Sequence, residues 1–168
     1  MRGSCRILLA VLSGLVCSAC SVTRQIPEGQ YLLRKVKIED DRTVPRRDRI
    51  LASELEKYVR QTPNKRFLGT NFYVWLYEQA NPAKENRWNE WKRKIGEAPV
   101  LLDQSLTQKS AENLKVYMDS KGFFNSQVSF RIDTLSRRRR AKVVYRTHQG
   151  APYRIDSISY EFRDKFLE

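Results

Sequence analysis

Apolar side chains recur along the chain with two different spacings, and each spacing predicts a different element. Residues 30–39 form a β-rich segment whose apolar positions are Tyr31, Leu33, Val36 and Ile38. Residues 47–61 follow a helical pattern instead, because apolar residues recur every four positions at Leu51, Leu55 and Val59. The pattern therefore predicts a strand followed by a helix.

The stretch from residue 103 to residue 148 predicts a longer helix and a β-hairpin. The helix carries Ala111, Leu114 and Met118 on one face, and Gly122 supplies its stop. In the first hairpin strand, 127–133, every second residue is apolar, at Val128, Phe130 and Ile132. The second strand, 142–146, follows the same alternation, with apolar residues at Ala141, Val143 and Tyr145. Strand, helices and hairpin predict an α+β fold in which a small mixed sheet carries helices on one face.

Between these parts lies a polar and aromatic stretch that we interpret as a helical insertion near residues 82–98. It follows a second apolar run, at residues 71–79, which stops at Asn81 and Pro82. Trp88 and Trp91 fall on one face of the predicted helix. With the basic run 92–94 they form either a contact to a membrane or aromatics packed beneath the insertion.

The segment after residue 149 repeats the apolar spacing of the first strand. When Tyr153 is aligned with Tyr31, apolar residues follow at two, five and seven positions in both copies: Leu33, Val36 and Ile38, then Ile155, Ile158 and Tyr160. The repeat predicts that a second domain of the same kind starts at residues 150–168 with its first strand.

The N-terminus has the pattern of an export signal. Arg2 and Arg6 flank the start of the apolar run 7–16, which is shorter than the ~20 residues of a membrane span. Small residues follow the run, so cleavage after Ala19 would leave Cys20 as the first residue and the only thiol of the mature chain. The alternative is that residues 7–16 form a buried helix of a cytosolic domain.

Cys20 is the candidate lipidation site. Ser18, Ala19 and Cys20 resemble the end of a lipoprotein signal, although Cys17 stands where such signals usually have leucine. Each buried CH₂ group contributes ~0.8 kcal/mol, so two or more acyl chains would hold the chain on a membrane. The alternative is ordinary signal cleavage that leaves Cys20 unmodified. The predicted organisation is a signal peptide at 1–19, a tether at 20–29 and a domain at 30–149.

Composition and motifs favour binding over catalysis. Lys and Arg number 32 against 19 Asp and Glu, and the net charge of +13 favours anionic partners. An exported chain meets anionic lipids and acidic polymers, so nucleic acid is not a predicted partner.

The chain has one histidine, His148, and no Gly-rich phosphate loop, HExxH or GxSxG motif, so we predict no enzyme activity, metal or cofactor. Between the two hairpin strands lies a basic run of four arginines: Arg137, Arg138, Arg139 and Arg140. This run is either a solvated hairpin tip or a contact to lipid phosphates.

Several segments together carry a family pattern. They are GEAPVLLD at 96–103, Ser110, MDSKGFFNSQVSFRID at 118–133 and AKVVYRTHQGAPYRIDSISYEF at 141–162. Together they resemble POTRA domains, the polypeptide-transport-associated modules of the BamA/TamA superfamily of outer-membrane assembly proteins. The whole is most similar to the lipidated TamA-like members of Bacteroidetes-type bacteria.

The resemblance implies a β-α-α-β-β fold and a role in receiving unfolded outer-membrane proteins and passing them to a C-terminal barrel. It also implies a location on the outer membrane, facing the periplasm, with outer-membrane lipid bound through an acylated Cys20. The implied partners are unfolded outer-membrane proteins and an inner-membrane assembly partner. Family members continue into a β-barrel, so this chain is expected to be an N-terminal portion truncated before it.

A module of this kind would bind extended clients at a sheet edge, and the hairpin supplies the candidate residues: Val128, Phe130, Ile132, Val143 and Tyr145. Which edge of the sheet is free stays open at this point, and so does a covered edge that would leave the domain a spacer. Two classes of function follow: a client-binding assembly module, or a lipid-anchored envelope scaffold or lipoprotein that binds anionic polymers without a transport role.

Overall fold

The computed structural model describes residues 26–81, 84 and 86–161, and in these residues a strand, four helices and a hairpin follow one another. The strands are β1 (Leu32–Asp40), β2 (Gln127–Leu135) and β3 (Arg140–His148). The helices are α1 (Ala52–Leu55), α2 (Phe72–Glu78), α3 (Arg87–Ile95) and α4 (Gln104–Ser120). The predicted signal peptide, Cys20 and residues 162–168 lie outside the described residues.

The three strands form one mixed sheet in the order β1-β3-β2. β3 is central: it runs parallel to β1, with Leu33 opposite Ala141, and antiparallel to β2, with Phe130 opposite Tyr145. The short turn Ser136–Arg138 joins the two hairpin strands. The α+β class, the hairpin and the small mixed sheet are therefore confirmed.

The core lies between one face of the sheet and the helices α1 and α4. It consists of buried apolar side chains from the sheet, from the two helices and from the residues beside them, namely Leu33, Ile38, Ile50, Leu55, Val59, Ala111, Leu114, Met118, Phe123, Val143 and Tyr145. Full burial of each large aliphatic side chain contributes about 1.5–3 kcal/mol, so this face is the main source of stability. The opposite face of the sheet is charged and carries ion pairs, such as Arg146 with Glu39 at 3.7 Å.

The start and the stop of α4 are set by two residues at its ends. The Asp103 side chain accepts hydrogen bonds from the backbone N–H groups of Ser105 and Leu106, at 2.8 and 3.1 Å. Gly122 has a φ of +88°, which a side chain would strain, and it ends the helix as predicted. The predicted apolar face of α4 is confirmed, since its three residues all belong to the core.

The helix predicted over residues 47–61 is present but much shorter, because only Ala52–Leu55 is α-helical and a short 3-10 turn follows. At the start, the side-chain amide of Gln149 binds both the N–H and the C=O of Ile50, at 2.8 and 2.9 Å. At the end, the N–H of Arg60 donates to the Ser110 hydroxyl at 3.0 Å rather than to a helix carbonyl. Tertiary partners thus take the backbone groups that a longer helix would need.

The last four residues of the tether predicted at residues 20–29 are part of the folded domain. Ile26 is buried, and the Arg139 guanidinium donates a hydrogen bond to its carbonyl oxygen. Residues 26–29 therefore belong to the folded domain, because the apolar side chain and the carbonyl of Ile26 both find partners there.

Residues 150–161 form neither a strand nor a helix. Their first part is fixed: the N–H of Tyr153 donates to the carbonyl of Gly122 at 2.9 Å, and Arg154 pairs with Asp48 at 2.9 Å. Beyond residue 154 the apolar side chains are exposed. The strand predicted at the start of a second domain is not formed within residues 150–161, because no strand of the described part pairs with them.

Candidate functional site

The outer edge of β2 is unpaired along nine residues. β3 occupies the other side of β2 from Gln127 to Leu135, and no further strand of the described chain pairs with β2. On such an edge, every second residue points its N–H and C=O groups away from the sheet. β2 is therefore a template to which an extended chain could add.

The outer edge of β1 is covered where the strand starts. The N–H of Leu33 donates to the carbonyl of Val100, and the N–H of Leu102 donates to the carbonyl of Tyr31, both at 2.8 Å. A β-bulge at Leu33–Lys35 also interrupts the ladder that joins β1 to β3. The residues that provide this cover were not predicted, and their only signal in the sequence is the apolar run of residues 100–102. Of the two edges, β2 is the one that the described residues leave open along its whole length.

Val143 and Tyr145 are not edge residues, so their prediction as client-binding residues is wrong. Both lie on the central strand, which has neighbours on both sides, and both side chains are buried in the core. The Tyr145 hydroxyl donates to the carbonyl of Thr107 at 3.4 Å, and burial raises the pKa of this hydroxyl. These two residues hold the sheet against α4 and cannot contact a client.

Val128, Phe130 and Ile132 do lie on the free strand. Their side chains are half-buried and pack against the core, on the face of the sheet that α4 covers. The ring of Phe130 lies 6.4 Å from that of Tyr145, centroid to centroid. Because part of each apolar side chain stays exposed, the alternate side chains of an added strand could pack beside them.

The opposite face of β2 is polar and charged. Gln127, Ser129 and Arg131 are exposed, and the Arg131 guanidinium pairs with Asp133 at 2.9 Å. Lys142 of β3 lies 3.7 Å from the same carboxylate. Charged side chains on an edge strand limit unwanted edge-to-edge pairing, so this edge is exposed without being wholly apolar.

The four arginines of the hairpin turn do not form one patch. Arg137 and Arg138 are exposed, whereas Arg139 and Arg140 are half-buried. Arg139, with a φ of +43°, binds the carbonyl of Ile26 and lies 3.7 Å from Glu28. Two of the four cations are therefore placed for a contact to phosphates, and Arg139 has a structural role.

His148 lies at the end of β3 and pairs with Asp41, at the start of the loop after β1. The hydrogen bond from His148, helped by two bonds from Thr43, lowers the pKa of the Asp41 carboxyl. Within the described ranges, no three His, Cys, Asp or Glu residues come together as metal ligands. His148 thus joins the ends of two strands.

Among the helices that the structure describes, none has the length and apolar character needed to cross a bilayer.

No protein-family model matches this chain, and neither a curated protein nor a solved structure is significantly similar to it. The site must therefore be interpreted from its own geometry.

Proposed function

We propose that this chain is a POTRA-type periplasmic module that holds unfolded outer-membrane protein segments by strand addition to β2. The observation that carries the proposal is the edge of Gln127–Leu135, which is unpaired among the described residues. The order of strand, helices and hairpin supports it, as does the family resemblance of residues 96–162. A backbone edge suits a handler of many clients, because backbone hydrogen bonds do not depend on client sequence.

The expected affinity is weak. About four or five residues of the nine in β2 point outward. Each backbone hydrogen bond contributes about 0.5–1.5 kcal/mol net to the binding free energy. The entropy lost when the client becomes ordered reduces this total. Dissociation constants in roughly the millimolar to micromolar range follow, and packing beside Val128, Phe130 and Ile132 moves them to the tighter end. Weak binding allows a client to be passed on.

Photocrosslinking tests the proposal because it captures weak complexes. A photoreactive phenylalanine analogue at Ser129, on the exposed face of β2, should crosslink a peptide of about ten residues with the alternating pattern of a barrel strand. The same analogue at Lys109, exposed on α4, is the matched control. Equal crosslinking at both positions, or none at Ser129, would contradict the proposal, and binding of lipid A or peptidoglycan in place of the peptide would favour the scaffold function.

The proposed location is the outer membrane, facing the periplasm, with the chain anchored by an acylated Cys20. The proposal rests on the sequence 18–20, which resembles a lipoprotein signal. In a host that processes lipoproteins, the N-terminal peptide should carry acyl mass, and Cys20→Ala should release the chain from the membrane fraction. A mass spectrum with an unmodified Cys20 would rule out the anchor and leave the proposal for β2 untouched.

A further inference from the structure

An apolar stripe on α3 faces solvent. Trp88, Trp91 and Ile95 are 71%, 45% and 38% exposed, and the two indole rings touch edge to face with their centroids 5.8 Å apart. With 3.6 residues per turn, the three side chains lie within an arc of about 60°. We call these three residues the aromatic face. The alternative that the tryptophans pack beneath the insertion is wrong.

The opposite side of α3 is fixed to the rest of the domain. Asn89 is buried, and its side-chain amide donates to the carbonyl of Lys84 at 2.8 Å. The N–H of Glu97 donates to the carbonyl of Tyr73 in α2 at 3.1 Å. At Gly96, a Cβ would lie 2.6 Å from the backbone nitrogen of Tyr77, so the chain there approaches α2 too closely for a side chain. The aromatic face is thus held outward by a defined helix pair.

Cations flank the aromatic face. Helical geometry places Lys92 on one side of it and Arg87 and Lys94 on the other. Arg93 lies farther round, with its guanidinium 3.4 Å from the carbonyl of Asn81. Four cations against the single carboxylate of Glu90 make α3 basic within one short helix. A partner for this face must therefore be anionic as well as partly apolar.

Indole rings beside cations suit the headgroup region of a bilayer, where one end of a side chain is wet and the other is apolar. A helix of nine residues is only about 14 Å long, so it could lie in the plane of the interface but not span the membrane. A second copy of the chain would bring the same cations to the contact and be repelled. We propose that the aromatic face of α3 is a contact surface for an anionic lipid bilayer, independent of strand addition at β2.

The tryptophans report on the contact directly in the full-length chain. The chain has three tryptophans, so Trp75→Phe leaves only Trp88 and Trp91 as emitters. Vesicles of phosphatidylcholine with phosphatidylglycerol, carrying brominated acyl chains, should shift this emission to the blue and quench it. Vesicles of phosphatidylcholine alone should do so much less. The matched control, Trp88→Phe with Trp91→Phe, leaves only Trp75 and should show little quenching.

The cations give a graded test. Near an anionic surface each Lys or Arg contributes ~1 kcal/mol, so Arg87→Gln and Lys94→Gln should each weaken vesicle partition about fivefold. Unchanged circular dichroism would show that the variants fold. The proposal would be overturned if the chain sedimented with vesicles while Trp88 and Trp91 stayed unquenched, since another segment would then bind. Emission that shifted with protein concentration in the absence of vesicles would also overturn it, because a second copy would cover the face.

Discussion

Two segments of the chain carry the same apolar spacing, and only one of them is a strand. In β1, Leu33 and Ile38 are 1% and 7% exposed, whereas Ile155 and Tyr160 at the matching positions are 79% and 76% exposed. β1 has β3 on one side and residues 100–102 at the start of the other. No strand of the described part pairs with residues 150–161. The spacing makes a segment compatible with a sheet, and a backbone partner makes it a strand.

The two segments differ also in what their tyrosines contact. Tyr153 stacks edge to face on Phe124, with ring centroids 5.5 Å apart, and its N–H binds Gly122. The carbonyl of Tyr31 instead accepts a hydrogen bond from Leu102. The aligned tyrosines therefore have different roles: Tyr31 helps to hold the start of β1, whereas Tyr153 fixes the chain to the end of α4.

The largest expected effect is a difference in the free energy of unfolding between alanine variants of the two segments. Leu33→Ala removes a buried side chain of the core and should lower the free energy of unfolding by about 2–5 kcal/mol. Ile155→Ala removes an exposed side chain and should change it by less than about 0.5 kcal/mol. Urea unfolding of both variants is the measurement. Equal losses would mean that residue 155 is buried in solution.

The next effect concerns the junction between α4 and the second segment. Gly122→Ala places a side chain at a φ of +88° with its Cβ 2.8 Å from the carbonyl oxygen of Tyr153, and it should cost about 1–3 kcal/mol. Gly29→Ala is the matched control, because its φ of +81° gives similar strain in open space. Thermal unfolding should rank Gly122→Ala below Gly29→Ala. The reverse order would show that the contact to Tyr153 is not maintained.

The smallest expected effect depends on pH and concerns the end of β1. Since the hydrogen bond from His148 lowers the folded-state pKa of Asp41, this carboxylate stabilises the fold above its unfolded pKa. That contribution is lost as the pH falls through the folded-state value. Asp41→Asn should therefore reduce the loss of stability between about pH 5 and pH 2, as urea midpoints would show. An unchanged acid profile would assign the loss to other carboxylates.

Local patterns predicted the elements whose contacts are mostly local. The apolar face of α4 and the alternation of β2 are visible in sequence because neighbouring residues share one side of the element. The helix predicted over 47–61 starts later than its apolar spacing indicates, because Gln149, far along the chain, binds the backbone of Ile50. The central position of β3 and the cover of β1 also depend on long-range pairing. Val143 and Tyr145 could not be excluded from the site without that knowledge.

Amide hydrogen exchange of the full-length chain, with and without a peptide patterned as a barrel strand, tests the central claim most directly. Strand addition predicts that the peptide slows exchange at alternate amides of Gln127–Leu135, since those N–H groups point away from β3. Exchange in β1 and in residues 155–161 should stay unchanged. Protection that appeared in either of those segments, or none in β2 while the peptide was bound, would contradict the account.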